Sequence, residues 1–360
     1  MSERVKVAIV GCGMMGREHI RNLRLFDAVE LTGLSDPVVD SLERSRRTAG
    51  NESLPAFTDV GEMLSRVKPD AVIVSSPNYT HRQALEPLFA AGVHILCEKP
   101  LCTTLPDARW AAEAAAGHRG VFWTGMEYRF MPPAAAFIDQ VKAGRVGRLV
   151  MLSIREHRFP FLVKVGDWNR FSRNTGGTMV EKCCHFFDLM RLIIGDEPVR
   201  VFCSGAMDVN HLDERYEGET PDIIDNSYTV VDFAGGQRAM LDLSMFAEGA
   251  RNQEEITAVG DRARLDVLIP DSDLVWSPRV GFMNPKAVET EHVEVDPGAL
   301  AAGTHHGATY YQLEAFLAAV RGEGPVIVTA DDGLRAVAMG VAAETSAREK
   351  RVVEMSELGF

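Results

Sequence analysis

The chain is poor in the features that mark secreted and membrane-spanning proteins. Its six cysteines form no Cys-x-x-Cys pair and show no zinc-like spacing, so they predict reduced, mostly buried thiols rather than a disulfide framework. No apolar run reaches the ~20 residues of a membrane span, and the first residues lack the apolar stretch of a signal peptide. These absences predict a cytoplasmic protein that does not enter a membrane.

Positive charge is also scarce. The 360 residues include 38 Lys and Arg against 51 Asp and Glu, which gives a formal net charge of -13. Nucleic-acid-binding proteins cluster Lys and Arg on one face, so the composition argues against a nucleic-acid partner and favours a small molecule. Cys183, Cys184 and His185 are adjacent, but neighbouring helical positions point about 100° apart and no second ligand cluster follows. We therefore expect no metal.

The first third of the chain alternates short β-branched runs with helical stretches. This alternation predicts a parallel sheet with helices on both faces, the doubly wound α/β architecture of nucleotide-binding domains. The predicted strands are 5–10, 29–34, 70–74, 93–97 and 121–124, and the predicted helices are 16–26, 38–48, 81–91 and 105–116. We assign residues 1–125 to this domain.

The rest of the chain has longer strands joined by glycine-containing turns, at Gly235-Gly236 and Gly260-Asp261 for example. Such pairs predict antiparallel hairpins, so residues 126–360 are expected to form an α+β domain with an open, mostly antiparallel sheet. Helices over 177–195, 309–322 and 331–349 are expected to cover one face of it. The other face would expose apolar surface, which predicts a homodimer or homotetramer.

A glycine turn follows the first predicted strand and opens the next helix. Gly11 permits a tight turn, Gly13 lets the backbone approach a pyrophosphate, and Gly16 lets helix and strand pack closely. Met14 and Met15 complete the loop. A strand before the motif, a helix after it and an acidic residue twenty positions further on together predict a Rossmann dinucleotide-binding domain.

Asp36 is that acidic residue, at the end of the second predicted strand. Its carboxylate can accept hydrogen bonds from a ribose 2′-hydroxyl but would repel a 2′-phosphate, and the sequence Ser35-Asp36-Pro37-Val38-Val39 offers no adjacent Arg or Lys. NAD is therefore favoured over NADP. The alternative is that Asp36 only caps the following helix.

With these motifs the chain resembles the glucose-fructose oxidoreductase, inositol dehydrogenase and MocA family of oxidoreductases over almost its whole length. The resemblance rests on the glycine turn with Asp36 and on the segments 75–81, 98–100, 128–130, 176–188, 316–321 and 332–333. It implies that the loop with Ser75, Pro77, Asn78 and His81 lies beneath the cofactor. It also implies that Glu98 and Lys99 lie beside the nicotinamide ribose, where Pro100 restricts the backbone of Lys99.

The second catalytic segment implied by the resemblance runs from Gly176 to Asp188. If this segment is one helix, Glu181 and His185 are four residues apart and project from the same face, so the carboxylate can orient the imidazole. Family members usually have Asp where this chain has Glu181, and Gly where it has Cys183. Without the resemblance, a histidine on so apolar a helix would more often be a core residue.

The expected chemistry is transfer of a hydride from a secondary alcohol to NAD⁺, for which a base must accept the hydroxyl proton. We favour His185 as that base, with Lys99 donating a hydrogen bond to the same oxygen, and the reverse assignment stays open. The lysine and the imidazole are expected to converge over the bound pyridine ring. If they do not, the dehydrogenase hypothesis fails.

The resemblance implies a carbohydrate or polyol such as a sugar or an inositol. Aromatic and hydrogen-bonding side chains suit such rings, and the candidate substrate-binding residues outside the catalytic pair are Arg129, Trp168, Arg173 and His306. Several basic residues between 155 and 173 allow a carboxylate or phosphate on the sugar, although solvated loop charge and subunit contacts are the favoured explanation.

Two other functions use the same motifs. An NAD-dependent glycosidase would oxidise and re-reduce its substrate with no net redox change, and the unusual Glu181-Lys182-Cys183 sequence keeps that hypothesis open. A cofactor-sensing regulator would need neither Lys99 nor His185, so their presence argues against it.

Overall fold

The computed structural model describes residues 4–282 and 287–360, which form two compact units. The first unit contains Met1–Glu127, Lys164–Trp168 and Asp296–Val337. The second contains Tyr128–Val163, Asn169–Val295 and Ala338–Phe360. The second unit thus differs from the domain predicted over 126–360, because 126–127, 164–168 and 296–337 belong to the first unit.

The strands belong to two sheets. They are β1 (Val5–Val10), β2 (Val29–Ser35), β3 (Ala56–Phe57), β4 (Ala71–Val74), β5 (His94–Glu98), β6 (Phe122–Gly125), β7 (Leu149–His157), β8 (Pro198–Ala206), β9 (Asn226–Phe233), β10 (Arg238–Ser244), β11 (Glu254–Gly260), β12 (Ala263–Ile269), β13 (Asp273–Pro278), β14 (Glu289–His292) and β15 (Val353–Glu354). The short β3 and the strands β13 to β15 were not predicted.

The α-helices are α1 (Met14–Leu23), α2 (Val39–Ala49), α3 (Val60–Val67), α4 (His81–Ala91), α5 (Leu105–Ala116), α6 (Pro132–Lys142), α7 (Ser172–Thr175), α8 (Thr178–Glu181), α9 (Cys184–Ile194), α10 (Pro297–Ala302), α11 (Ala308–Val320) and α12 (Ala330–Glu349). Short 3₁₀ helices lie at Asn78–Thr80, Glu127–Phe130, Val165–Arg170 and Met355–Leu358. In the described part of the chain, no helix combines the length and the apolar character needed to cross a bilayer.

The sheet of the first unit is entirely parallel, with strand order β3-β2-β1-β4-β5-β6. The order reverses between β1 and β4, which is the switch point where Rossmann domains bind dinucleotides at the carboxyl ends of their strands. Parallel strands are covered on both faces, and all four residues of β4 are accordingly buried. The predicted Rossmann fold is confirmed.

The first unit also contains α10 and α11, which pack against α1. Arg21 donates to the carbonyl oxygen of Ala302 at 3.0 Å, and the rings of Phe26 and Tyr310 stack with centroids 4.7 Å apart. The expectation that the helix predicted at 309–322 covers the C-terminal sheet was therefore wrong. Contacts with residues almost 300 positions away decide where this helix lies.

The second unit is built on a nine-stranded sheet with order β14-β13-β12-β11-β7-β10-β9-β8-β15. Neighbouring strands are antiparallel except β7 and β10, which are parallel. Helix α6 packs on β12 and α9 packs on β7. The predicted open, mostly antiparallel sheet is confirmed.

All six cysteines are buried, as predicted. Burial raises the pKa of the Cys12 thiol to about 12, with a further contribution from the carboxylate of Asp36. In the described ranges, no group of three or more His, Cys, Asp or Glu side chains is arranged to hold a metal ion.

Candidate active site

In the glycine turn of the first unit, Gly11 and Gly16 are closely packed, whereas Gly13 faces open space. Gly11 has a φ of +90°, and a Cβ there would lie 2.3 Å from the backbone nitrogen of Ser76. A Cβ on Gly16 would lie 2.1 Å from the carbonyl oxygen of Gly11. A Cβ on Gly13, in contrast, would meet no atom within 4 Å. Gly13 therefore faces the open space that a pyrophosphate needs, between Gly11 and the half-exposed Met14 and Met15.

Asp36 is buried at the end of β2 and fixes this turn. Its Oδ2 accepts a hydrogen bond from the backbone N–H of Cys12 at 2.7 Å, and its Oδ1 accepts one from Val38 at 2.8 Å. Val38 is the N-cap residue of α2, so Asp36 holds the backbone just ahead of that helix as well as the glycine turn. Each carboxylate oxygen has a second lone pair, which leaves both able to accept from a ribose hydroxyl.

The loop after β4 closes over the glycine turn. Ser75 donates its hydroxyl to the carbonyl oxygen of Gly11 at 2.8 Å. His81 is fully buried, with Nε2 3.1 Å from the carbonyl oxygen of Ser76 and Nδ1 2.9 Å from that of Pro100. Burial lowers the pKa of His81, which favours the neutral ring. His81 thus joins the loop after β4 to the loop after β5.

The residues present fit a dinucleotide. Asn78 follows Pro77 in a short 3₁₀ helix and is buried, yet its Nδ2 donates to no atom of the described residues. A buried donor without an acceptor is costly, and a cofactor oxygen or amide would satisfy it. Together with the open space at Gly13 and the carboxylate of Asp36, this supports a cofactor held along the carboxyl ends of β1, β2 and β4.

Glu98 is the last residue of strand β5, and Lys99 follows it directly. Glu98 Oε1 lies 2.6 Å from Nε2 of the buried His19 on α1, and its Oε2 accepts from the backbone N–H of Lys99 at 3.2 Å. Burial alone would lower the pKa of His19, but the hydrogen bond and charge of Glu98 outweigh it and raise that pKa. Burial would raise the pKa of Glu98, but His19 outweighs it and lowers that pKa in turn, so both shifts favour the charged forms of the pair. The Lys99–Pro100 peptide bond is cis, an isomer that the sequence analysis did not require.

Beside this pair lies a second buried cluster that sequence reasoning missed. His305 Nδ1 is 2.9 Å from Glu18 Oε1, and His305 Nε2 is 3.7 Å from Glu127 Oε1. The hydroxyl of Thr309 is 2.9 Å from each carboxylate. Burial raises the pKa of Glu18, but hydrogen bonds from His305 and Thr309 outweigh burial and bring that pKa to about 2.

The pKa of Glu127, unlike that of Glu18, is raised, and burial is the main cause. A hydroxyl carries only one proton, so Thr309 can donate to Glu18 while accepting a proton held by Glu127. The charges of Glu98, Glu127 and Lys99 act on one another, so the buried acids lie within electrostatic reach of the lysine. A signal was present in the sequence, since Glu18 and His19 interrupt the apolar face of α1.

In the second unit, the predicted helix over 177–195 is interrupted. Glu181 ends α8 and His185 lies in the first turn of α9, with a turn at Lys182 and Cys183 between them. The backbone N–H of Cys183 bonds to the carbonyl oxygen of Thr178, five residues earlier, so the turn is wider than an α-helical one. The premise that Glu181 and His185 share one continuous helix was wrong. Both side chains are nevertheless buried.

His185 is bordered by Tyr128. The two rings stack with centroids 4.1 Å apart and an interplanar angle of 10°. Arg129, predicted to bind substrate, donates to both carboxylate oxygens of Asp188 on the same helix as His185. This buried ion pair fastens the segment after β6 to α9.

The remaining substrate candidates lie in different places. Arg173 is exposed, pairs with Glu219 at 2.5 Å and lines a cavity of about 480 Å³ in the second unit. Trp168 belongs to the first unit, where its ring meets that of Tyr79 edge to face at 6.1 Å. His306 also belongs to the first unit, has a φ of +50°, and has its pKa lowered by burial.

Comparison with known proteins agrees with this description. Residues 5–126 match the family described as "Oxidoreductase family, NAD-binding Rossmann fold", and residues 138–355 match "Oxidoreductase family, C-terminal alpha/beta domain". The myo-inositol 2-dehydrogenase of Thermotoga maritima is 27% identical over 364 residues, which cover 98% of this chain and 99% of that protein.

Solved structures share the whole fold. An NAD-binding oxidoreductase from Klebsiella pneumoniae is 18% identical with a TM-score of 0.83, over 98% of this chain and 99% of that one. A levoglucosan dehydrogenase in complex with NADH and levoglucosan is 17% identical with a TM-score of 0.84, over 98% and 100%. The two family matches together span most of the sequence. The chain therefore belongs to the glucose-fructose oxidoreductase, inositol dehydrogenase and MocA family, as an NAD-binding oxidoreductase that acts on CH–OH groups.

Proposed function

We propose that this chain is an NAD-dependent dehydrogenase that oxidises a secondary hydroxyl of an inositol, a sugar or a related polyol. The observation that carries the proposal is the nucleotide-binding end of the first unit, where Asp36, Gly13 and Asn78 together fit an unphosphorylated ribose and its pyrophosphate. The full-length similarity to a myo-inositol 2-dehydrogenase supports the substrate class. The bound nicotinamide would supply the hydride acceptor.

The proposed acid-base residues come from both units. His185 accepts the hydroxyl proton, and Glu181, which is buried near the start of the same segment, orients the imidazole or a substrate hydroxyl. Lys99, next to the buried acids Glu98 and Glu127, donates a hydrogen bond to the substrate oxygen. Arg129, Trp168, Arg173 and His306 stay candidates for substrate contact. For Arg129 the structure favours a supporting role, because its guanidinium binds Asp188.

The test is a substrate screen combined with two variants. We expect NAD⁺ reduction with at least one inositol or aldose, and a fall in kcat of at least ~10²-fold in Lys99→Ala and in His185→Ala, the usual range for acid-base catalysis. NADH binding measured by fluorescence should persist in both variants. Full activity in either variant would remove that residue from the mechanism.

The same screen separates the alternatives. Release of free sugar from a glycoside without accumulation of NADH would favour the NAD-dependent glycosidase. Lower KM values with NADP⁺ than with NAD⁺ would contradict the role given to Asp36.

A further inference from the structure

We propose that Lys182 is a positioning residue for His185, acting through the ring of Tyr128 from a buried ionic cluster behind it. The inference rests on the proposed function, in which His185 is the base. Lys182 occupies the turn that interrupts α8 and α9, and its side chain is only 4% exposed. A lysine buried this deeply needs a reason, because removing an ammonium group from water is costly unless it is paired.

The contacts of Lys182 lead directly to the imidazole. Its Nζ lies 2.5 Å from the phenol oxygen of Tyr128 and 4.6 Å from the centroid of that ring. The same ring stacks on His185, with the two centroids 4.1 Å apart. The ammonium of Lys182 therefore holds the Tyr128 ring on which the imidazole of His185 stacks.

The other side of Lys182 faces two carboxyl groups from neighbouring strands. Glu156 on β7 lies 2.9 Å from Nζ and is fully buried. Glu254 is the cross-strand partner of Glu156 on β11. Burial and the charge of Glu156 raise the pKa of Glu254 to about 8, so at neutral pH Glu254 is protonated. Arg158, also on β7, lies 3.7 Å from Glu156.

Lys182 and Arg158 thus both lie against the carboxylate of Glu156, at 2.9 and 3.7 Å. Burial lowers the pKa of Lys182, and Glu156 acts in the opposite direction. On the elements that flank His185, Asp188 of its own helix is paired with Arg129, and Glu181 ends α8. The positive charge of the Lys182 ammonium, held close to the Tyr128 ring, disfavours a second positive charge on His185.

The expected size of this effect follows from distance. The two ring contacts place the ammonium within ~9 Å of the imidazole, and a unit charge at that range in a protein interior changes a protonation equilibrium by about one pH unit. With Lys182 in place, the imidazole therefore stays neutral, and able to accept a proton, down to a lower pH than it would without that charge.

The test is Lys182→Met, a substitution of similar shape without the charge. We expect the acid limb of the pH profile of kcat/KM for polyol oxidation to move up by about one pH unit, so that below the limb kcat/KM falls ~10-fold. Glu254→Gln is the matched control from the same cluster, and its limb should stay in place because Glu254 is already uncharged there. A limb that does not move in Lys182→Met overturns the proposal.

A second measurement does not depend on catalysis. The NMR titration of His185 in the protein without cofactor should show the midpoint displaced upward in Lys182→Met and unchanged in Glu254→Gln. Tyr128→Phe keeps the stacked ring and the ammonium, so its midpoint should also stay near that of the parent. An unshifted midpoint in folded Lys182→Met contradicts the inference. If no polyol is oxidised, the proposed function fails and this titration still decides the role of Lys182.

Discussion

At the scale of single residues, buried carboxyl groups in this protein fall into two kinds. Glu18 is ionised down to a pKa of about 2, because His305 and Thr309 donate to it and outweigh its burial. Burial raises the pKa of Glu344 to about 7, although its Oε1 accepts one hydrogen bond from the backbone of Met179. The number of donors thus decides whether a buried acid keeps its charge.

Glu344→Gln tests this difference through stability. The pKa of Glu344 is higher in the fold than in the unfolded chain, so the folded protein holds a proton that the unfolded chain releases, and stability falls as pH rises from about 4.5 to about 7. The amide keeps an oxygen for Met179 and removes this fall. We expect the free energy of unfolding of the variant, relative to the parent, to rise by up to about 3 kcal/mol between pH 4.5 and 8 in urea titrations.

The exposed variant Glu52→Gln is the control for the previous measurement, since it removes the same formal charge from the surface. A constant difference between Glu344→Gln and the parent across this pH range would show that Glu344 is ionised in the folded protein.

At the scale of elements, the glycine turn between β1 and α1 illustrates what a local sequence determines. The glycines of the turn lie within a few positions of one another, and Asp36, Ser75 and Ser76 reach it from farther along the chain. Two positions in the turn require glycine for different physical reasons. Gly16 is confined by the protein itself, whereas Gly13 faces open space.

Two alanine variants should separate these reasons. Gly16→Ala brings a Cβ within 2.1 Å of the Gly11 carbonyl oxygen, so we expect a loss of about 2–4 kcal/mol of stability and a lower Tm. Gly13→Ala meets nothing within 4 Å and should keep the parental Tm. Its methyl group lies where a pyrophosphate would approach, so the Kd for NADH, measured by calorimetry, should rise by ~10-fold or more. Parental NADH affinity in Gly13→Ala would contradict the cofactor position.

The interruption between α8 and α9 shows the opposite case. Apolar periodicity predicted one helix from 177 to 195, and the turn at Lys182 is invisible in that pattern. Its causes are Glu156 and Tyr128, which contact Lys182 from 26 and 54 positions away. The contacts of α11 with α1, and of Glu18 with His305, also join residues that are far apart in the sequence. The sequence therefore predicted strands, turns and the cofactor-binding loop, but not the buried ionic contacts made over long separations.

At the scale of the whole molecule, the nine-stranded sheet of the second unit has an exposed apolar row. Phe202, Val230 and Met240 are cross-strand neighbours on β8, β9 and β10, and are 42%, 40% and 39% exposed. Tyr228 and Met151 on the same sheet are more exposed still. Contiguous apolar surface of this kind is typical of interfaces, and a second copy of the chain offers the same row in return.

We expect the purified protein to be a dimer or tetramer, and the double variant Phe202→Glu with Met240→Glu to be a monomer. Two carboxylates on β8 and β10, either side of Val230 on β9, would have to lose their water in the interface, which is costly without partners. Sedimentation velocity measures the outcome directly. Leu25→Glu, an exposed apolar position in the first unit, serves as control and should retain the parental mass. A parent protein that sediments as a single chain would contradict the prediction.

The return of residues 296–337 to the first unit has a practical consequence for dissecting this enzyme. A fragment ending near residue 126 would contain every strand of the parallel sheet but would lack α10 and α11. Arg21 would then lose its hydrogen bond to the carbonyl oxygen of Ala302, and Phe26 would lose its stacking contact with Tyr310. The buried carboxylate of Glu18 would also lose its contact with the imidazole of His305. A minimal cofactor-binding fragment must therefore be assembled from segments that are distant in the gene, by circular permutation or by co-expression.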